Sequence, residues 1–296
     1  MLNVIFIVTL SAPSLKVVEE AYRDYLGYKV AARGNVSRTL ASSWGAPASA
    51  GHDYLLMQPE SGEEVYLRFI ESEATEGYAP LRTFGWNCTE ILVKDPDDLA
   101  RRLKDSPFRI IGPPRNLSSN EDIRAMQVIG PANEVLYLTR LTPGKAGFDL
   151  GSARTDVDRV FIVVLGGHDM EAMRDFYASK MKVPVTLPTG TRISVLSRAH
   201  GMDPEHLHQL AVARLPSKFL IEIDEYPQSA TLRPQRDGYL PPGLSLVSFE
   251  VDSIDALKLD LIRPPVVIEE WPYEGRRVAV TAGAAGELIE LVETTG

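Results

Sequence analysis

The apolar run Phe6-Ile7-Val8-Thr9-Leu10 returns as Phe161-Ile162-Val163-Val164-Leu165, an offset of 155 residues. A repeat on this scale constrains the fold more than any local preference, because both copies must build and bury the same structure. At the same offset Tyr22 matches Tyr177, Leu26 matches Met181 and Val30 matches Val185, so the likeness runs through a strand, a helix and the start of another strand. A second pair follows in each half. Gly85-Trp86-Asn87-Cys88-Thr89-Glu90-Ile91-Leu92-Val93 leads to Asp98-Leu99, and Gly243-Leu244-Ser245-Leu246-Val247-Ser248-Phe249-Glu250-Val251 leads to Ala256-Leu257. Each then ends in similar text, Gly130-Pro131-Ala132-Asn133-Glu134-Val135-Leu136-Tyr137-Leu138 and Gly283-Ala284-Ala285-Gly286-Glu287-Leu288-Ile289-Glu290-Leu291.

Each half therefore divides into two units of one strand, one helix and about three strands. The first helix, near Pro13 to Leu26, carries Leu15, Val18, Ala21, Tyr22, Tyr25 and Leu26 on one stripe, and a second is expected at Pro96 to Leu103. The stretch Leu141 to Asp156 has Pro143, glycines and no periodicity, and reads as a linker. The expected architecture is α+β: four strand-helix-strand-strand-strand units paired into two cup-shaped mixed-sheet domains. These are residues 1–142 and 158–296, joined by a linker at 143–157.

With 296 residues, 44% hydrophobic and 24% charged, the chain is long enough for a sizeable core and is not of disordered composition. A formal charge of −9 repels phosphate backbones and anionic membranes, so neither nucleic acid nor membrane is an expected partner. The single cysteine, Cys88, cannot close an internal disulfide, which suits a cytoplasmic location. The start of the chain reads as a strand, and no apolar run approaches the roughly 18 residues of a membrane span.

The four-unit plan, the Tyr25-Leu26-Gly27-Tyr28 stretch closing the first helix and the Gly-x-x-Gly-Glu-Leu-Ile-Glu-Leu turn and strand from Gly283 resemble the vicinal oxygen chelate superfamily. That superfamily includes glyoxalase I, bleomycin-resistance proteins and the type I extradiol dioxygenases. The resemblance implies sheets curled around a cup with a metal at its base, held by His from first strands and Glu from last strands. Carried onto this chain, the ligand positions fall near Ile7, Leu67, Cys88 and Tyr137 in the first half and near Ile162, Glu222, Leu246 and Glu290 in the second. The usual two-His-one-Glu site is not found. The cofactor is then either none or one divalent metal ion, held if present by Glu290, Glu222 and His208.

Glu222 and Glu290 each sit inside an apolar strand, where a charge needs water, a partner or a site. Close together in a cup they would form a general acid and base suited to proton transfer beside a carbonyl; otherwise they are solvent-facing strand positions. His206 and His208 share a face if a strand starts early, and are loop residues if it does not. Trp271, Tyr273 and Arg276 mix rings and charge before a strand of the second cup, and Tyr239 stands in a proline-rich connection that reaches its mouth. These five, Tyr273, Trp271, Arg276, Tyr239 and His208, are the expected substrate contacts, against a plain reading as edge or packing residues. The expected function is a lyase or isomerase step on a small oxygenated metabolite, aromatic compounds included, with Glu290 and Glu222 catalytic. Sequestration of a small molecule without turnover, or a dioxygenase relative that has lost its iron, is the alternative. A homodimer is left open.

Overall fold

The computed structural model describes residues 1–117, 120–145 and 149–294, so residues 146–148 of the expected linker lie outside the described residues. The first unit runs β1 (Leu2–Ala12), α1 (Leu15–Leu26), β2 (Lys29–Asn35), α2 (Arg38–Ser43), β3 (Asp53–Gln58) and β4 (Tyr66–Glu71). The second is β5 (Gly85–Val93), α3 (Pro96–Leu103), β6 (Arg109–Asn116), β7 (Ile123–Ile129) and β8 (Val135–Leu141). The third comprises β9 (Val157–Gly167), α4 (Met170–Asp175), β10 (Thr189–Arg192), α5 (Ser194–Ala199), β11 (Leu207–Leu215) and β12 (Phe219–Glu225). The fourth has β13 (Leu244–Val251), β14 (Val266–Ile268), β15 (Arg276–Ala282) and β16 (Leu288–Glu293), with a single 3-10 turn at Asp255–Leu257 where the other units have a helix.

Local chemistry sets the helix ends. The Ser14 side chain accepts from the Val17 N–H at the start of α1, and Gly27 closes it at φ 71°, a left-handed conformation that glycine adopts without strain. Asp95 caps α3 ahead of Pro96. In every unit the first strand pairs parallel with the last, β1 with β4, β5 with β8, β9 with β12 and β13 with β16. The long crossover between them, through a helix and two strands in the first three units and through the 3-10 turn, β14 and β15 in the fourth, makes that parallel pairing feasible.

Two eight-stranded curled sheets result, in the orders β14-β15-β16-β13-β1-β4-β3-β2 and β10-β11-β12-β9-β5-β8-β7-β6. The expected fold class holds, but the pairing of units is not that of neighbours within each half. The first unit shares its sheet with the fourth through β1 and β13, and the second shares with the third through β5 and β9. The physical reason lies in the edges: β5 is flanked by β8 and β9, so no edge remains there for β1, whose free side is completed by β13. Segments 1–142 and 158–296 mark the duplication in sequence, while each contributes to both cups.

One core spans both sheets, joining Leu67 and Phe69 of β4 with Val163 and Leu165 of β9 and with residues of α1, α3 and α4. Two repeated latches tie it together. Tyr22 of α1 donates to Glu134 at 2.6 Å, and Tyr177, just past α4, donates to Glu287 at 2.9 Å. Each carboxylate folds back over its own turn and also accepts the N–H of Ala132 or Ala285. A Cβ at Gly130 or Gly283 would stand 2.0 or 1.9 Å from that carboxylate, which explains glycine at the start of both turns.

Candidate active site

The cup of β1–β4 and β13–β16 is filled. Leu40 and Ala41 of α2, Trp44, Phe6, Tyr66, Leu246, Tyr273, Val278 and Val280 pack into it, so that the β2–β3 connection acts as a plug. Glu290 lies at its centre with no exposed surface. Its carboxylate accepts the Trp44 indole N–H at 2.6 Å, the Tyr273 hydroxyl at 2.9 Å and the Ser248 hydroxyl. Arg68 Nη2 stands 3.8 Å away, while other guanidinium N–H groups donate to Thr9 and, at 2.8 Å, to Tyr273. The guanidinium also faces the Trp44 ring at 4.7 Å. Every polar group of this cluster is partnered, as a buried ion pair requires. At the rim, beside Tyr239 and His52, a void of only about 10 Å³ remains, room for about one water.

The cup of β5–β12 is different in kind. It holds a cavity of about 110 Å³ whose walls include Glu90, Gln127, Tyr137, Ile193, Val195 and Glu222, with Arg115 and Arg192 at the mouth. Glu90 projects from β5 and accepts the Thr139 hydroxyl at 2.5 Å; burial pushes its carboxyl up to about 7. Glu222 projects from β12 opposite Val164, and makes no hydrogen bond to another described residue. Burial, with the charges of Asp224 and Glu90, holds its carboxyl well above the ordinary range. Asp224, next but one along β12, is raised by burial and by Glu90. The Tyr137 hydroxyl and Asp224 Oδ1 are buried without a hydrogen-bond partner among the described residues. Buried polar atoms of this kind are rare and call for water or a ligand group to complete them. Cys88 is fully buried beside them as a free thiol, and burial pushes it up.

The expected site residues are thus divided between the sheets. Glu290 and Tyr273 meet in the filled cup, and Glu222 stands in the other, so the two carboxylates form no pair. Arg276 pairs with Glu250 at 2.8 Å and lies over Phe6 at 4.4 Å, and Trp271, 40% exposed, meets Tyr66 edge-on at the rim. Tyr239 stacks under Arg236 at 4.2 Å. His208 is buried on β11, Nε2 within 2.8 Å of Ser197 Oγ, and is pushed down to about 4 by burial and by His206 and His200. His206 directly precedes the strand and is exposed, and its ring meets that of His208 edge-on at 4.8 Å. The set Glu290, Glu222 and His208 cannot converge on one ion, because Glu290 belongs to the other sheet.

Four residues of these clusters are absent from the expected set. On β4 the cup-facing residue is Arg68, paired with Thr9, and Leu67 points into the shared core; a one-residue slip of register exchanges the faces. Glu90, Asp224 and Trp44 are the others. Arg68 and Glu90 carry the signal that picks out Glu222, a charge inside an apolar strand, whereas nothing in the local sequence marks Trp44.

A divalent metal at the cup base does not fit these side chains. One cup places the Arg68 guanidinium beside the Glu290 carboxylate, where a second cation would be repelled. The other offers Cys88, Tyr137, Val164 and Glu222 at the central positions, with no imidazole, and no group of three ligating side chains arranged for a metal occurs among the described residues.

No protein-family model and no curated protein matches the sequence. Solved structures match the fold. Glyoxalase I from Zea mays aligns over 98% of this chain and 92% of its own at TM-score 0.66 and 13% identity, and a mutant of that enzyme at 0.67, 13% identity, 98% and 93%. A "putative dioxygenase" from Bacillus subtilis aligns over 100% of this chain and 86% of its own, at 0.64 and 11% identity. Both kinds span all four units, so the chain has the vicinal oxygen chelate fold.

Proposed function

We propose that this chain, built on the vicinal oxygen chelate fold, binds a small oxygenated compound in the β5–β12 cup and moves a proton on it, a lyase or isomerase type of step. The observation that carries the reading is the cavity of about 110 Å³ with Glu222 on its wall and, beside it, the buried Tyr137 hydroxyl that has no hydrogen-bond partner among the described residues. A carboxyl near 7, as at Glu90, is matched to taking a proton at neutral pH, and a neighbour held well above the ordinary carboxylate range by burial, as at Glu222, is matched to giving one. With a carbonyl compound in place, Glu90 takes the proton from the adjacent carbon as the C–H bond breaks. The electron pair moves into the C–C bond, the carbonyl oxygen gains the Glu222 proton, and the Tyr137 hydroxyl donates to the same oxygen. Return of the proton to the other face or another atom isomerises the compound; loss of a neighbouring leaving group makes the step an elimination. Glu290, with its full set of partners, serves as the counter-charge of Arg68.

The test is solvent exchange. Small oxo and hydroxy compounds incubated in D2O with the protein are expected to gain deuterium at the carbon next to the carbonyl, and Glu222→Gln to abolish the gain. Exchange untouched by that change contradicts the role given to Glu222. The misfit of both cups to a metal favours a second reading, retention of the compound without turnover. Saturation transfer to a bound compound with no exchange would establish it.

A further inference from the structure

We infer that the compound received by the β5–β12 cup is a small carboxylate, its anionic end held at the mouth by Arg115 with Arg192 and its other oxygen facing the acids of the wall. The inference rests on the functional reading above and narrows its substrate class. Its first support is charge placement. The chain carries −9 overall, yet two arginines line this cavity, the exposed Arg115 of β6 and the half-buried Arg192 of β10. A local positive rim on an acidic protein selects an anion against the mean field of the surface.

The second support is the pairing of those cations. Arg115 has no ion pair among the described residues. Arg192 is paired with Glu205 at 2.6 Å, a partner that is itself two-thirds exposed, so that this pair is screened by water. An arginine fork left open at the entrance matches the two oxygens of a carboxylate.

The third is the interior. Three carboxyl side chains near a cavity would ordinarily repel an anion. Burial raises Glu90, Glu222 and Asp224, so the wall carries less negative charge than three ordinary carboxylates would, and the Tyr137 hydroxyl stands there to donate to an uncharged oxygen. The cavity therefore has a cationic entrance and a hydrogen-bonding wall, complementary to a hydroxy- or oxo-carboxylate. An entering anion also raises the neighbouring acids further, so binding takes up protons and tightens as pH falls towards 6.

The experiment compares acids with their uncharged amides on the full chain: pyruvate with pyruvamide, lactate with lactamide, benzoate with benzamide, by calorimetry at low salt. At least one acid is expected to bind about ten-fold more tightly than its amide. Arg115→Leu, an exposed position that leaves the core alone, is expected to remove that preference, bringing the acid to the level of its amide. Absence of acid preference in every pair, or a preference untouched by Arg115→Leu, overturns the inference. The two readings fail separately. Deuterium exchange without acid preference keeps the proton-transfer reading and removes the carboxylate, whereas acid-selective binding without exchange keeps the carboxylate site and removes the chemistry.

Discussion

Replacing Glu290 by glutamine separates the two roles that a carboxylate in a cup can have. The side chain is completely buried, accepts hydrogen bonds from Trp44, Ser248 and Tyr273, and faces Arg68, itself buried, at 3.8 Å. Glutamine keeps the shape and part of the hydrogen bonding, and what disappears is the charge. Removing one member of a buried ion pair costs about 3–5 kcal/mol, because the remaining charge stays desolvated. Glu290→Gln is therefore expected to lower stability by about 3 kcal/mol, while Arg68→Met in the same chain recovers part of the loss, a coupling of about 2 kcal/mol. Urea unfolding followed by tryptophan fluorescence reads this directly, since Trp44 donates to the carboxylate in question. Deuterium exchange, where the variant stays folded, is expected to persist. A loss of exchange together with a stability change under about 1 kcal/mol would refute the reasoning and move the chemistry to Glu290.

Two further outcomes follow from the same burial arithmetic. Glu134 and Glu287 are each pushed up to about 7 by burial, against 4.5 for an ordinary glutamate, so the folded chain holds protons that the unfolded chain releases. Their contribution is full below about pH 4.5 and is lost as pH rises through 7, on the order of 3 kcal/mol per group. Glu134→Gln and Glu287→Gln are expected to flatten the fall in stability between pH 5 and 8; an unchanged slope in denaturation midpoints contradicts the latch protonation. The Cys88 thiol is buried and raised, so aromatic disulfide reagents are expected to label it only after unfolding, and rapid labelling of the native chain would contradict its placement.

The repeat was the most legible part of the fold. The equivalence of Tyr22 with Tyr177, and of the two glycine turns, marks elements that the structure uses twice, down to the Tyr–Glu latch. The α3 boundaries, Pro96–Leu103, coincide with the expected helix because Asp95 and Pro96 fix its start locally. The partnering of units was not legible, because strand edges leave no trace in periodicity: β1 carries the same apolar text whether its neighbour is β5 or β13. Glu222 and Glu290 were legible as charges in apolar strands, but only register and pairing place them in different cups. Arg68 escaped by one residue, since a one-position slip on β4 exchanges Leu67 for Arg68. The plug from α2 and Trp44 was illegible for a different reason. It lies in a connection, and its role depends on a cup built from the far end of the chain.

The central claim is that the working cup is that of β5–β12, with Glu222 kept protonated for proton transfer. The most direct measurement is a carbon-13 NMR titration of the glutamate side-chain carboxyls, with Glu222 assigned by its loss in Glu222→Gln. The account predicts a Glu222 resonance still protonated at pH 7 that shifts when a cavity ligand is added. A Glu222 carboxyl that ionises near 4.5 and ignores every ligand would contradict it.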